Sequence, residues 1–261
     1  MKDGVERFPV WRFTRESLSS SKEAVAREFP LTIILNNHEL VTLLCSPMDI
    51  KYLAVGFLLS EGLIKSKAEI KKITVEDRKG VVRVDAELEE GLAQGVSFKR
   101  LITSSGGRGA FTRGVADTSQ KVQSQMRIST GEILALVDKF QKYSRLYLAT
   151  HGVHGAALCD RQGISVFGED IGRHNAIDKV FGKCLLEDIP TDDHVVITSG
   201  RISSDAVHKV AKRGIPIIIS VAVPTDLAIR IAEELGVTLV GSVVEEKMNV
   251  YTNEWRIAEG K

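Results

Sequence analysis

The chain has 261 residues, of which 43% are hydrophobic and 26% charged, a mixture that is usual for folded domains in water. Its formal net charge of +1 excludes a broad electrostatic attraction to nucleic acid or to a membrane surface. No apolar run approaches the roughly 18 residues of a membrane-spanning helix, and the first residues lack the apolar core of a signal peptide. We therefore expect a cytoplasmic protein whose partners include neither nucleic acid nor membrane.

The three cysteines, Cys45, Cys159 and Cys184, are scattered along the chain, and none belongs to a CxxC pair. Each lies in an apolar stretch, and an odd number does not suit a disulfide framework. The chain also lacks the H-x-E and P-C-x-x-C pattern of zinc-dependent deaminases. We therefore predict three core cysteines and no metal site.

The first part of the chain shows a mixture of strand and helix patterns. Residues 1–27 are polar and weakly patterned, which indicates an arm or an edge segment. Alternating apolar residues and turn residues predict two β-hairpins, formed by residues 31–35 with 40–44 and by residues 70–75 with 81–88. Between the hairpins, Ser46 as N-cap and Pro47 as first residue predict a helix that ends near Gly62. Residues 1–125 are thus predicted to form a smaller α+β part.

A glycine- and serine-rich stretch, residues 103–119, interrupts the strand and helix patterns. It begins with Thr-Ser-Ser-Gly-Gly-Arg-Gly, whose backbone N–H groups could surround an anion. Composition alone favours a mobile loop or a junction between domains. We place the boundary between the two parts of the chain at residues 125 and 126.

Strand and helix patterns alternate through residues 126–261, and the predicted strands are short and fully apolar. The predicted strands are residues 146–149, 156–159, 164–167, 195–198, 215–220 and 238–240. The predicted helices are residues 133–143 and three further helices, one beginning after Arg173, one capped by Ser203 or Ser204, and one capped by Thr225. This alternation predicts an α/β domain, a parallel or mixed sheet covered by helices on both faces.

Polar side chains gather in the turns that adjoin these predicted strands. Ligands of α/β sheets bind where such turns meet, at the carboxyl edge of the strands. We therefore expect one shared binding site. Its predicted residues are His154, Gly172, Arg173, His174, Ser199, Gly200, Arg201, Pro224 and Thr225.

The chemistry of this predicted site favours an anion. Arg173 and Arg201 each follow a glycine in a strand–helix turn, where backbone N–H groups and the helix dipole attract negative charge. Arginine also suits bidentate contacts to phosphate or carboxylate. Asp170, Glu169 and Asp178 could accept hydrogen bonds from a base or a sugar, or they could simply neutralise the arginines. The alternative to a binding site is a capped helix start with a solvated charge cluster.

The segment from Glu169 to Lys179, which reads EDIGRHNAIDK, resembles the central motif of the FdhD/NarQ family, the formate dehydrogenase accessory sulfurtransferases. Further segments that resemble the family follow in its order, at residues 30–37, 45–49, 56–62, 152–158, 199–203, 222–225 and 249–252. The resemblance implies an α/β fold with a three-layer α/β/α, cytidine-deaminase-like domain. It also implies that residues 126–261 form the cofactor-binding domain, that residues 1–125 form the smaller α+β part, and that the protein is a homodimer.

Proteins of this family receive sulfur from a cysteine desulfurase and pass it to the molybdenum or tungsten bis(molybdopterin guanine dinucleotide) cofactor of formate dehydrogenase. The resemblance therefore implies transient binding of this cofactor, with a guanine nucleotide as its mimic, and formate dehydrogenase and a cysteine desulfurase as partners. It adds Asp170 and Asn175 to the predicted site. It also assigns to cofactor binding a segment near the C-terminus, which comprises Ser242, Val243, Val244, Glu245, Glu246 and Lys247.

The sequence departs from the family pattern at three places. One of them is Thr150-His151-Gly152, where the family tends to have a second glycine. Where the family has Ser-Ser-Cys-Gly-x-Cys-Gly, both cysteine positions are glycine here, Gly106 and Gly109. A persulfide requires a thiolate, so neither position supplies a catalytic group. The segment 242–247 also lacks the aromatic residue and the arginine that the family pattern leads one to expect.

Three functions remain open at this point. The first is a maturation factor that binds the cofactor and transfers sulfur to it. The second is a chaperone that binds the cofactor or a guanine nucleotide without transferring sulfur, which the missing loop cysteines favour. The third is an enzyme with another reaction in the same pocket, with His151, His154 or Asp170 as acid–base groups.

Overall fold

A computed structural model of the protein describes residues 4–88, 101–102 and 121–259, with the backbone alone for residues 101–102. The predicted loop of residues 103–119, with Gly106 and Gly109, lies outside the described residues. No helix of the described part is long and apolar enough to cross a membrane.

The N-terminal part contains a hairpin and a five-stranded sheet. Its elements are β1 (Val5–Phe13), β2 (Leu18–Ala26), β3 (Phe29–Leu35), β4 (His38–Cys45), α1 (Ile50–Ser60), β5 (Ile70–Glu76), β6 (Val81–Ala86) and β7 (Leu101–Ile102). Strands β1 and β2 pair as an antiparallel hairpin, which the weak pattern of residues 1–27 did not reveal. The sheet has the order β5-β6-β3-β4-β7, and both predicted hairpins are present in it.

The start of α1 differs from the prediction. The helix begins at Ile50, with Asp49 as its N-cap at a φ of 57°. Ser46 is fully buried, and its hydroxyl accepts a hydrogen bond from the backbone N–H of Ile171 at 3.1 Å. Ser46 is therefore not a cap, because its hydroxyl is hydrogen-bonded to a residue 125 positions further along the chain.

The C-terminal part is built on a six-stranded sheet. Its elements are β8 (Ile128–Ser129), α2 (Thr130–Gln141), α3 (Arg145–Thr150), β9 (His154–Cys159), β10 (Ile164–Asp170), α4 (Arg173–Leu186), β11 (Val195–Thr198), α5 (Ser204–Ala211), β12 (Ile217–Ser220), α6 (Asp226–Leu235), β13 (Thr238–Val244), β14 (Lys247–Thr252) and β15 (Ile257–Ala258). The sheet order is β10-β9-β11-β12-β13-β14. Strands β11, β12 and β13 are parallel, and the other pairs are antiparallel, so the sheet is mixed as predicted.

Residues 146–149 form part of helix α3, and their prediction as a strand was wrong. A short apolar run fits a strand or a helical turn equally well. The cap decides between them, since the Ser144 hydroxyl accepts a hydrogen bond from the N–H of Tyr147 at 3.0 Å. The helix ends at His151, whose φ is 51°. Residues 150–153 therefore precede β9 instead of following a strand.

Alternate side chains of the six-stranded sheet face two separate layers of helices. Residues facing α4, α5 and α6 include Ala156, Leu158, Val196, Ile218 and Leu239. Residues facing α2 include Ala157, Cys159, Val195, Ile197 and Ile219. The predicted three-layer α/β/α class is thus confirmed.

The first of these cores continues into the N-terminal part, where it includes side chains of α1 and of the five-stranded sheet. Helix α1 packs directly on α4, and the two helices meet at Gly56 and Gly182. One continuous core therefore joins the two sheets. The division of the chain into domains at residues 125 and 126 stays a prediction.

Candidate functional site

The predicted turns meet at one edge of the six-stranded sheet. Strand β9 runs antiparallel to β11, so its first residue, His154, lies near the carboxyl end of β11. Nδ1 of His154 is 3.2 Å from the hydroxyl of Ser199, which also accepts a hydrogen bond from the N–H of Gly155 at 3.0 Å. The Arg173 side chain packs on Gly200, where an added Cβ would be 2.8 Å from the Cβ of Arg173. The turns before α4 and α5 are thus in direct contact.

The turn before α6 joins the same edge. The N–H of Thr225 donates to the carbonyl of Ile202 at 3.0 Å, and Ile202 forms a parallel bridge with Pro224. The Thr225 hydroxyl accepts a hydrogen bond from the N–H of Ala228 at 3.3 Å, which confirms its prediction as a cap. Arg201 is exposed in the neighbouring turn. The tertiary structure therefore brings the predicted turns of residues 199–201 and 224–225 together.

The segment 242–247 forms the end of β13 and the turn to β14. The N–H of Ser242 donates to the carbonyl of Ala222 at 2.8 Å, which ties the segment to the turn before α6. Val243 is buried in the core on the α2 side, with 1% exposed. The remaining side chains, those of Val244, Glu245, Glu246 and Lys247, are exposed. A role of this segment in cofactor binding stays a prediction.

Asp170 holds the turn before α4 together from a fully buried position. One carboxylate oxygen accepts hydrogen bonds from the N–H of Gly172 and from the Asn175 side chain, both at 2.9 Å. The other accepts the N–H of Ser46 at 2.9 Å and pairs with the ammonium of Lys179 at 2.7 Å. Both oxygens therefore have partners within the chain. Asp170 neutralises the charge of a lysine and not that of an arginine.

A second buried pair lies further along α4. The Asp178 carboxylate accepts a hydrogen bond from the hydroxyl of Ser60 in α1 at 2.6 Å and pairs with the ammonium of Lys209 at 2.6 Å. Sequence reasoning assigned no role to Lys179 or Lys209. The position of Lys179 inside the family motif could have indicated a role for it. The sequence around Lys209 shows only the pattern of an ordinary helix and offers no such signal.

Basic side chains and the starts of two helices make this edge suitable for an anion. The N-cap residues of α4 and α5, Gly172 and Ser203, form no side-chain cap. The positive ends of the dipoles of α4 and α5 therefore lie at this edge and favour negative charge. Burial lowers the pKa of His154 below its usual value, and the charges of Arg173 and His174 lower it further, against the opposite effect of Asp170. His154 is therefore neutral near pH 7 and can donate or accept a hydrogen bond.

A cavity of about 660 Å³ opens beside His154 and Ser199. Its walls are largely apolar and aromatic and include Phe140, Tyr147, Val153 and Ile171. His151 also lines it, with its ring 5.1 Å from that of Tyr147. Sequence reasoning missed Tyr147 because the residues around it were assigned to a strand, and missed Phe140 because it belongs to an ordinary amphipathic helix.

All three cysteines are buried, as predicted. Burial raises the pKa of Cys159 to about 12 and that of Cys184 to about 12. The Cys45 thiol is fully buried and contacts the carbonyl oxygen of Phe29 at 3.4 Å. A thiolate is the form that accepts sulfur, so none of the three positions offers a reactive nucleophile.

The sequence model of the FdhD/NarQ family matches residues 26–258. The chain belongs to this family. Two relatives, each named sulfur carrier protein FdhD, come from Bacillus subtilis and Listeria innocua and are 43% and 39% identical to the chain. The alignments cover 96% and 98% of the chain and 96% and 99% of the relatives.

A solved structure is also similar to this member of the FdhD/NarQ family. It is the crystal structure of a Desulfotalea psychrophila protein described as a formate dehydrogenase accessory protein, with a TM-score of 0.82 and 29% identity. The match covers 98% of the chain and 100% of that protein. The FdhD/NarQ fold thus extends over the N-terminal part as well as over the six-stranded sheet.

Proposed function

We propose that this chain is an accessory factor for formate dehydrogenase maturation that binds the molybdenum or tungsten bis(molybdopterin guanine dinucleotide) cofactor. The observation that carries the proposal is the packing of Arg173 on Gly200, beside His154 and Ser199, at the starts of two helices. Family membership and the names of the relatives support the link to formate dehydrogenase.

The residues present fit a guanine dinucleotide in their chemistry. Arg173 and the exposed Arg201 would hold the pyrophosphate, and the positive ends of the dipoles of α4 and α5 would favour its negative charge. His154 and Ser199 would supply neutral hydrogen-bonding groups. The cavity of about 660 Å³ lies within the usual range for a ligand of nucleotide size, and its aromatic wall would stack a planar ring. When bound, the cofactor would supply the metal centre that formate oxidation requires, and this chain would bind and orient it.

Delivery of the cofactor without sulfur transfer is the form of this function that the chain favours. Its relatives are named sulfur carriers, but the family's two cysteine positions are Gly106 and Gly109, and the three cysteines of this chain are buried. The partner required is then formate dehydrogenase. A cysteine desulfurase is a partner only in the second candidate function, in which sulfur still moves, and the relatives' names favour that candidate.

Incubation with a cysteine desulfurase and cysteine is expected to leave the native chain without a persulfide. The physical reason is the burial of all three thiols, which keeps them out of contact with a donor enzyme, and burial also raises the pKa of Cys159 and of Cys184 to about 12. Mass spectrometry of the intact protein measures the added sulfur. The double variant Gly106→Cys/Gly109→Cys is the matched control and should gain sulfur. An adduct mapped to Cys45, Cys159 or Cys184 in the native chain would support the sulfur-transferring candidate.

Replacing Arg173 with alanine is expected to weaken binding of GDP by about 1.5–3 kcal/mol, the usual contribution of a charge-assisted hydrogen bond. Calorimetry with the full chain measures this loss. Arg201→Ala should also weaken the binding of GDP. Arg230→Ala is the control, because Arg230 is an exposed arginine of α6 that pairs with Asp226. Unchanged GDP affinity in both Arg173→Ala and Arg201→Ala would show that the site lies elsewhere.

A further inference from the structure

His174 and Asp205 contact each other at the starts of two neighbouring helices. Nδ1 of His174 is 2.7 Å from a carboxylate oxygen of Asp205, and 9% of the histidine side chain is exposed. His174 is the second residue of α4, and Asp205 lies in the first turn of α5. Burial disfavours the charged form of an imidazole, whereas a carboxylate at this distance favours it.

Lys209 on α5 also lies near Asp205. The ammonium of Lys209 is 3.7 Å from the same oxygen of Asp205, and it is 2.6 Å from the carboxylate of Asp178. Asp178 lies on α4, one turn beyond His174, and is fully buried. Lys209 is therefore closer to Asp178 than to Asp205, and the Asp205 oxygen is closer to His174 than to Lys209.

Basic groups surround His174 on the side of the candidate site. The charges of Arg173 and His174 both act on His154, after the larger effect of burial, so these three side chains lie close together. Asp170 is near as well, but its oxygens are engaged with Lys179 and with backbone and amide donors. Adjacent cations repel one another, and an anionic ligand at this edge relieves that repulsion.

We infer that Asp205 is a positioning residue that keeps His174 protonated, so that the imidazolium charge strengthens the binding of a phosphate-bearing ligand. The inference rests on the proposed function, because it concerns the same phosphate-binding edge. The charge is present at a pH below the titration of the ring and is lost as the pH rises through it. Removing the carboxylate favours the neutral ring, and the loss of affinity then occurs at a lower pH.

The first test compares the pH dependence of GDP binding in the native chain, Asp205→Asn and Asp205→Glu. Calorimetry between about pH 5.5 and 9 covers the range in which histidine titrates. We expect equal affinity at the acidic end and a fall in affinity whose midpoint lies about one pH unit lower in Asp205→Asn. The glutamate variant keeps the charge and should restore the native midpoint.

A matched control separates the charge from its effect on the helix. Asp226 also lies in the first turn of its helix, α6, and is exposed, so Asp226→Asn makes the same change away from the imidazole. Its midpoint should equal that of the native chain. If Asp205→Asn weakens GDP binding equally at every pH and leaves the midpoint in place, Asp205 is merely structural and the inference is overturned.

Nitrogen NMR of the imidazole rings tests the same idea without a ligand. The His174 signal is assigned by its loss in His174→Gln, and its titration should move about one pH unit lower in Asp205→Asn. An unmoved titration overturns the inference whether or not GDP binds. A native chain that binds no GDP at any pH while the titration does move overturns the proposed function, and with it the ligand part of the inference.

Discussion

Gly56→Ala is expected to lower the free energy of unfolding by about 3 kcal/mol, at the upper end of the range for overpacked cores. A Cβ at Gly56 would overlap the carbonyl oxygen of Asp178, and a Cβ at Gly182 would overlap that of Tyr52. The backbone atoms of two packed helices cannot move away from an added Cβ, as a flexible side chain could by changing its rotamer. Helices α1 and α4 would have to separate, and they carry the core that joins the two sheets. Denaturant unfolding measures the change.

Gly131→Ala is the matched control for this prediction. Gly131 also lies in a helix, and a Cβ added there meets nothing within 4 Å. Alanine has the better helix propensity, by about 1 kcal/mol in a helix interior, so this variant should be as stable as the native chain or more stable. If Gly56→Ala were equally stable, the close contact between α1 and α4 would be refuted.

Asp170→Asn is expected to lower the free energy of unfolding by about 3–5 kcal/mol, the usual result of removing one partner of a buried ion pair. The change leaves the ammonium of Lys179 in a side chain that is 1% exposed, with carbonyl oxygens of Ser46 and Glu169 as its remaining partners. It also weakens the bonds to Gly172 and Asn175 that shape the turn before α4. GDP binding should therefore fall together with stability.

The double variant Asp170→Asn/Lys179→Met tests whether the loss of stability comes from the unpaired charge of Lys179. Removing the lysine charge as well should recover a large part of the lost stability, because no uncompensated buried charge remains. Asp138→Asn is the control, since it breaks an exposed pair with Lys142 at 2.7 Å and should change stability by less than about 1 kcal/mol. A loss in Asp170→Asn as small as that of the control would contradict the importance of the buried pair.

The buried charges explain why the N-terminal part matters for the site. Asp170 accepts the N–H of Ser46, and Asp178 accepts the hydroxyl of Ser60, so both carboxylates of α4 and its preceding turn bind groups from the N-terminal part. The turn that presents Arg173 and His174 is therefore supported from two sides. Changes in the N-terminal part should act on ligand binding through these contacts.

Much of the fold could be predicted from local patterns. The short apolar strands alternating with amphipathic helices indicated an α/β domain with helices on both faces, because periodicity records which side of an element is buried. The turns at Gly172, Ser199 and Thr225 were recognised because glycine and helix-capping residues are favoured in turns by their own backbone and side-chain properties. The cap at Thr225 and the three buried cysteines followed from the same local information.

The sequence by itself thus determined the family, the class of fold and the polar turns that meet at one edge of the sheet. The apolar run at residues 146–149 fitted both a strand and a helical turn, and the structure shows a helix there. Only the tertiary structure decided that Ser46 binds Ile171 and that Lys179 and Lys209 balance the buried carboxylates. The physical reason is distance along the chain. A strand or a cap depends on neighbours a few residues away, whereas the groups that contact a buried charge are brought together by packing between segments that are up to 133 residues apart.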